Sequence, residues 1–209
     1  MAHNTPGSPQ KGQPMKLCFV TIGATASFDM LVSSVLEKSF LKALKGHSYT
    51  HLLVQYGEEG RSIFEEFLSN NPPGSEGRYG LEINGFDYKK TGLAKDMRLA
   101  KGQLATGSTE GMVVSHAGSG SILEVLRIGV PLVVVPNPRL QDNHQEELAN
   151  ELSRQGYVVA SQVTDLASAV GKAESLRSRL HGWPPVNSGI QSSKQGLAAV
   201  MDDEMGFID

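Results

Sequence analysis

The chain has 209 residues, of which 39% are hydrophobic, and it carries a formal net charge of −3. This length is enough to bury a core, and it favours one domain with room for tails. The nearly balanced charge, without a basic block, argues against a nucleic acid as the main partner. Cys18 is the only cysteine. The sequence therefore excludes an intrachain disulfide and a paired-cysteine zinc site, and it favours a reducing, cytosolic setting.

The ends of the chain differ in composition from its middle. No apolar run approaches the roughly 18 residues that cross a bilayer, so work at a membrane would need another protein to hold the chain there. Residues 1–15 are rich in Gly, Pro, Gln, Ser and Lys, which predicts a disordered leader rather than a signal peptide. Residues 16–183 are predicted to form one domain, and residues 184–209 a carboxyl-terminal tail.

Hydrophobic periodicity predicts strands that alternate with helices along the whole domain. The predicted strands are 17–22, 51–56, 81–86, 112–115, 132–135 and 157–160. The predicted helices are 28–44, 62–68, 90–104, 122–128, 143–155 and 165–180. A glycine-bearing break is expected at 107–111. This alternation predicts an α/β, Rossmann-like fold, in which a doubly wound and mostly parallel sheet binds ligands beyond the carboxyl ends of its strands.

Two predicted strands run directly into small polar turns that open a helix. One turn starts at Gly23, and the other comprises Gly118, Ser119, Gly120 and Ser121. Backbone N–H groups, hydroxyls and the positive end of a helix can all meet an anion in such a turn.

The second turn partly matches the fingerprint of dinucleotide-binding proteins. Gly118 and Gly120 have the required spacing, but Leu123 occupies the place of the third glycine. The acidic residue meant to bind a ribose would have to be Asp142, which lies well past the end of the next strand. No Gly-Lys-Ser/Thr occurs, so a P-loop is also absent.

A sugar-nucleotide diphosphate explains the same residues better. Glu124 follows the turn on the helix, where one carboxylate can accept both ribose hydroxyls. Side chains that suit a sugar follow the next strand: Asp142, Asn143, His144 and Gln145. Structural roles remain the alternative. The glycines can be a simple turn, Glu124 a solvated helix residue and Asp142 an N-cap.

Three segments carry a family resemblance: HAGSGSILEVLRIGVPLVVVPN, the following DNHQEELANEL, and FVTIGATASFDMLV near the amino terminus. Over about residues 16–160 the chain resembles the catalytic subunits of the eukaryotic dolichol-pathway UDP-N-acetylglucosamine transferases. More distantly it is similar to the donor-binding half of the bacterial transferase that makes the lipid-linked murein precursor. The resemblance implies one half of a two-domain, B-type glycosyltransferase, with a membrane-anchored partner subunit supplying the other half.

The resemblance also implies an activity. N-acetylglucosamine would pass from UDP-N-acetylglucosamine to a lipid-linked acceptor, dolichyl-diphosphate-N-acetylglucosamine, with inversion to a β-1,4 linkage. The place would be the cytoplasm and the cytosolic face of the endoplasmic reticulum membrane. No metal and no cofactor are implied. A sugar-nucleotide-binding module without transfer activity and an NAD-dependent oxidoreductase remain as alternatives.

Roles for single residues follow where the motifs match. Gly118, Ser119, Gly120 and Ser121 would hold the diphosphate and Glu124 the ribose. Asp142, Asn143, His144 and Gln145 would face the sugar, His116 and His144 are candidates for the catalytic base, and Gly23, Thr25 and Ser27 would touch the acceptor or the partner.

Two segments outside these motifs also have a distinct composition. Residues 89–101 carry a local basic cluster, for which a solvated helix face is favoured over contact with phospholipid head groups: Lys89, Lys90, Lys95, Arg98 and Lys101. The tail after residue 184 has too few apolar side chains for a core element. The resemblance implies that it docks on the partner subunit.

Overall fold

The computed structural model describes residues 13–24, 26–103, 105, 107–140 and 144–182. The strands of its sheet are β1 (Met15–Thr21), β2 (His51–Gln55), β3 (Glu82–Phe86), β4 (Ser108–His116), β5 (Leu132–Val135) and β6 (Val159–Ala160). The α-helices are α1 (Asp29–Val35), α2 (Lys38–Gly46), α3 (Gly57–Asn70), α4 (Ala94–Lys101), α5 (Ser119–Ile128), α6 (His144–Arg154) and α7 (Leu166–Gly182). Short 3-10 turns lie at Glu76–Arg78 and Val163–Asp165. The predicted tail and most of the predicted leader lie outside the described residues.

All strand pairs in the sheet are parallel, and the strand order is β3-β2-β1-β4-β5-β6. The chain builds outward from β1 in one direction and then returns to add β4 on the other side. The crevice above β1 and β4 is therefore the topological switch point, where sheets of this kind bind ligands. The predicted fold class, an α/β Rossmann-like sheet, is confirmed.

Helices cover both faces of the sheet, because alternate residues of each strand point to opposite sides. On β4, Val114 packs in the cluster beneath α1, α2 and α7, whereas Val113 packs in the cluster beneath α4, α5 and α6. The central strands are therefore apolar on both sides. At their carboxyl ends the apolar pattern gives way to polar side chains, Thr21 on β1 and Ser115 and His116 on β4.

The predicted helix 28–44 is wrong, because the structure has two helices there. α1 ends at Val35, and Glu37 is extended with φ −67° and ψ 147° before α2 begins at Lys38. α1 packs on α3, whereas α2 packs on α7. The apolar spacing is continuous across the break, so different tertiary partners, rather than a breaker residue, divide the helix.

The expected break at 107–111 is also wrong in its extent, because β4 already starts at Ser108. Ser108 and Thr109 pair with the first residues of β1, and the register then shifts between Lys16 and Cys18. A Cβ on Gly111 would overlap the main chain of Leu17. Gly111 therefore marks a close approach of two strands at an irregularity, not the end of a strand.

Within the described residues, no helix is long and apolar enough to cross a membrane.

Candidate functional site

The turn between β4 and α5 forms the amino terminus of a helix with open donors. Gly118 is the N-cap, with φ −77° and ψ 127°, and no side chain caps the helix. Ile122 is the first residue whose N–H bonds back, to the Gly118 carbonyl at 3.1 Å. The N–H groups of Ser119, Gly120 and Ser121 therefore have no acceptor within the helix. Together with the helix dipole, they suit a negatively charged group.

Glu124 lies on the same helix, partly buried. It follows the exposed Gly120 by four residues, so the two residues share one face of α5. A ligand whose anionic part lies at the turn would therefore extend past this carboxylate.

His116, the last residue of β4, lies close to both glycine turns. A Cβ built on Gly23 or on Gly118 would collide with the imidazole ring, so both turns need glycine where they meet it. The ring Nδ1 is buried, with no hydrogen-bond partner among the described residues. Burial lowers the pKa of the His116 imidazole below its ordinary value. Burial therefore favours the neutral form of the ring.

Two buried polar side chains hold the Gly23 turn. The hydroxyl of Thr21 accepts the Gly23 N–H at 3.1 Å and donates to Gln55 Oε1. Gln55 Nε2 in turn donates to the Gly23 carbonyl at 2.8 Å. Gly23 itself has φ +79°, which a residue with a side chain rarely adopts.

The loop between β5 and α6 is tied to the turn between β1 and α1. Asn137 is buried, and its Nδ2 donates to the Ser27 carbonyl at 2.9 Å. Its main-chain N–H donates to Gln145 Oε1 at 3.4 Å. An ion pair between Arg139 and Asp29, at 2.6 Å, links the same two segments. This loop therefore connects the predicted donor side with the predicted acceptor side.

Two recesses flank the β4–α5 turn along the carboxyl edge. The first, of about 620 Å³, lies beyond β5 and β6 and is lined by residues that include Asn137 and Gln145. The second, of about 380 Å³, lies beyond β1 and β2 and includes Gly23 and Ser27. The turn at 118–121 lines neither recess and lies between them.

The structure thus brings most of the predicted site residues to one edge of the sheet, but not into one cavity. Gln145 lies in the first turn of α6, and His144 opens that helix with an exposed side chain. The predicted Thr25, Asp142 and Asn143 lie outside the described residues.

Three residues that support the site were not singled out from the sequence: Thr21, Gln55 and Asn137. The sequence does contain a pattern that indicates them, because each is a polar residue at or just past the carboxyl end of an apolar strand. Each is buried in the structure.

The basic segment is only partly available to a ligand. Lys89 pairs with the buried Asp96 at 2.6 Å, and Lys101 pairs with Glu110 at 2.9 Å. Lys90, Lys95 and Arg98 are exposed and form no ion pair with any described residue. α4 itself is shorter than predicted, ending at Lys101.

Residues 17–181 match the glycosyltransferase family 28 C-terminal domain. The chain belongs to this family. The matched range contains β1 to β6 from Leu17 onward and both glycine turns. The predicted enzyme class, a glycosyltransferase, is confirmed.

Relatives of this family 28 domain carry a more specific name. The chain is 34% identical to the UDP-N-acetylglucosamine transferase subunit ALG13 of Eremothecium gossypii, over 90% of this chain and 92% of the relative. It is 31% identical to the ALG13 subunit of Saccharomyces cerevisiae, over 81% and 89% of the two chains. A solution NMR structure of ALG13 is similar with a TM-score of 0.56 and 29% identity, covering 79% of this chain and 85% of that chain. The resemblance stated from the sequence is confirmed.

Proposed function

We propose that the chain is the donor-binding half of a two-subunit transferase. It passes N-acetylglucosamine from UDP-N-acetylglucosamine to dolichyl-diphosphate-N-acetylglucosamine, and it is active with a membrane-anchored partner subunit at the cytosolic face of the endoplasmic reticulum. The observation that carries the proposal is the uncapped amino terminus of α5 at the switch point, with Glu124 on the same helix face. The relatives named as UDP-N-acetylglucosamine transferase subunits support it.

The donor would lie along the carboxyl edge, with its diphosphate at the turn 118–121. The N–H groups and hydroxyls of that turn stabilise the charge that grows on the diphosphate as the sugar leaves. Glu124 accepts hydrogen bonds from the ribose hydroxyls. The sugar points toward the start of α6, where the Asn137 N–H bonds to Gln145. Asp142, Asn143 and His144 immediately precede Gln145 in the sequence.

The chemical step is a single displacement. The acceptor hydroxyl oxygen attacks C1 of the donor sugar, the bond from C1 to the diphosphate oxygen breaks, and UDP leaves with the electron pair. This inverts the configuration at C1 and gives a β linkage. The acceptor proton passes to a base, for which His116 and His144 are the candidates on this chain. Burial lowers the pKa of His116 and so favours the neutral imidazole that a base requires, and His144 is exposed.

The acceptor side needs a second wall. The recess at Gly23 and Ser27 opens at the carboxyl edge, and a family described as a C-terminal domain is consistent with a further domain that faces this edge. The relatives are named subunits. A partner that covers this edge would position the lipid-linked acceptor next to the donor.

A reconstituted transfer assay tests the proposal. The full chain is mixed with labelled UDP-N-acetylglucosamine and a dolichyl-diphosphate-N-acetylglucosamine acceptor, with and without the membrane-anchored partner subunit of a related transferase. Transfer that requires both polypeptides, with a β-linked product, is the expected result. Donor binding without transfer in the assembled complex would instead support a sugar-nucleotide-binding module and contradict the proposal.

A further inference from the structure

Thr21 and Gln55 form a buried, hydrogen-bonded pair of polar side chains near the site. Thr21 is 0% exposed and Gln55 is 2% exposed. Their side chains bond to each other and to both main-chain groups of Gly23. Buried hydrogen bonds of this kind fix a segment in one position, because breaking one leaves an unpaired polar group in an apolar surrounding.

The strands do not need these side chains in order to pair. Thr21 and Gln55 are register partners in the parallel ladder between β1 and β2, which main-chain hydrogen bonds already hold. An apolar pair at these positions would match the apolar residues just before them, 17–20 in β1 and 52–54 in β2. The polar pair therefore serves the turn beyond the strand ends rather than the sheet.

The held turn forms one wall of the space around His116. A Cβ on Gly23 and a Cβ on Gly118 would both collide with the imidazole, so both turns approach the ring closely. Desolvation is the physical cause that lowers the pKa of this ring, and no charged group among the described residues shifts it. Glu58, Glu59 and Asp87 line the recess beside Gly23. The burial of the His116 ring thus depends on the position of the Gly23 turn.

We propose that Thr21 and Gln55 are positioning residues: they hold the Gly23 turn against the imidazole of His116 and so fix the position of that ring. The effect on sugar transfer rests on the proposed function, but the effect on the ring does not. The two consequences are therefore measured separately.

The ring is followed by NMR in the full chain labelled with ¹⁵N-histidine. The chain has six histidines, and the His116 signals are assigned by their loss in His116→Gln. Thr21→Val removes the hydroxyl at nearly constant shape, and Gln55→Leu removes the amide. Thr21→Ser keeps the hydroxyl and serves as the conservative variant.

A remote control separates positioning from general destabilisation. Tyr49 is fully buried before β2, at the opposite edge of the sheet, and its hydroxyl donates to Glu174 at 2.8 Å. Tyr49→Phe therefore also removes a buried hydroxyl, but far from the ring.

In Thr21→Val and Gln55→Leu, the titration midpoint of His116 is expected to move upward toward those of exposed histidines. Thr21→Ser and Tyr49→Phe are expected to keep the wild-type curve. An unchanged midpoint in folded Thr21→Val, or an equal shift in Tyr49→Phe, would overturn the proposal. Loss of the fold in both Thr21→Val and Gln55→Leu would overturn it as well, because the pair would then be needed for folding.

The transfer assay gives the second readout. In the assembled complex, kcat of Thr21→Val is expected to fall by about tenfold with KM for the donor little changed, since a misplaced group affects the reacting geometry. Thr21→Ser should restore it. A wild-type complex with no transfer, together with the expected NMR shifts, would refute the proposed function alone. An active wild-type complex with unmoved NMR curves would refute the positioning role alone.

Discussion

Asn137 Nδ2 donates a 2.9 Å hydrogen bond to the carbonyl of Ser27, which precedes it by 110 residues. The bond joins the loop after β5 to the turn after β1, across the carboxyl ends of three neighbouring strands, β1, β4 and β5. Replacing Asn137 by Leu is expected to lower the free energy of unfolding by about 1–3 kcal/mol, because the Ser27 carbonyl loses its donor in a buried setting. Urea unfolding of the full chain measures the change.

The exposed Asn84 provides the control for this prediction. Its side chain donates only to Glu82 on the surface. Asn84→Leu is expected to leave stability within about 0.5 kcal/mol of wild type. Equal losses in both variants would contradict the linking role of Asn137.

The two glycines of the β4–α5 turn should respond differently to alanine. A Cβ on Gly118 would meet the His116 ring, whereas a Cβ on Gly120 meets nothing within 4 Å. Gly118→Ala is therefore expected to destabilise the fold by about 1–3 kcal/mol. Gly120→Ala should preserve or slightly raise stability, by up to about 1 kcal/mol, since alanine favours a helix.

Gly120→Ala should weaken donor binding even though it does not destabilise the fold. If the diphosphate lies at the turn, the new methyl group of Gly120→Ala covers the N–H groups that bind it, and calorimetry should show weaker binding of UDP. If the folded Gly120→Ala chain binds UDP as tightly as wild type, the diphosphate does not bind at this turn.

Glu124 is predicted to recognise the ribose of the donor. Wild-type chain should bind UDP about tenfold or more tightly than 2′-deoxy-UDP, because a carboxylate loses a charge-assisted hydrogen bond when the hydroxyl is absent. In Glu124→Ala this preference should vanish, which a double-mutant cycle of calorimetric affinities would show. Arg127→Ala, an exposed change on the same helix, should retain the preference. If Glu124→Ala still binds UDP more tightly than 2′-deoxy-UDP, another residue recognises the ribose.

Acid stability should depend on Glu174 at the opposite edge of the sheet. Burial alone would raise the pKa of this carboxyl, but hydrogen bonds from Tyr49 and Lys16 and the charge of Arg177 outweigh burial and lower it. A carboxyl with a lowered pKa stabilises the fold above its ordinary pKa, and this contribution disappears as the pH falls through the folded-state value.

Glu174→Gln is therefore expected to cost about 1–2 kcal/mol of unfolding free energy at neutral pH. The gap from wild type should close in acid, as urea unfolding at a series of pH values would reveal. Glu65→Gln, at an exposed glutamate, is the matched control. It should leave the pH dependence of the unfolding free energy unaltered. A gap that stays constant down to acidic pH would contradict the assigned charge interactions.

The local pattern of the sequence predicted the elements that carry the site. The run at 132–135 reads as a buried strand and is β5, and the small polar turns at Gly23 and Gly118 both lie at the carboxyl edge. Such features depend on neighbouring residues, so periodicity and turn chemistry reveal them. α5 starts at Ser119, three residues before the predicted start at 122, because the polar turn is itself the first turn of the helix.

Features that depend on distant partners could not be predicted in the same way. The network of Thr21, Gln55 and Gly23 joins residues more than 30 positions apart, and the close approach of both glycine turns to His116 follows from the pairing of β1 with β4. The break before α2 likewise follows from packing on α7 rather than from local propensity. Strand order had to be known before these contacts could be seen.

Chemical-shift mapping of the donor on the full chain, labelled with ¹⁵N, tests the central claim most directly. Adding UDP-N-acetylglucosamine should shift the backbone amides of 118–121 and of Glu124 first, followed by Gln145 at the start of α6. The amides around Tyr49 and Glu174, at the opposite edge, should stay unchanged. Shifts confined to that opposite edge, or binding of NAD in place of the UDP-sugar, would contradict a donor site at the carboxyl ends of β4 and β5.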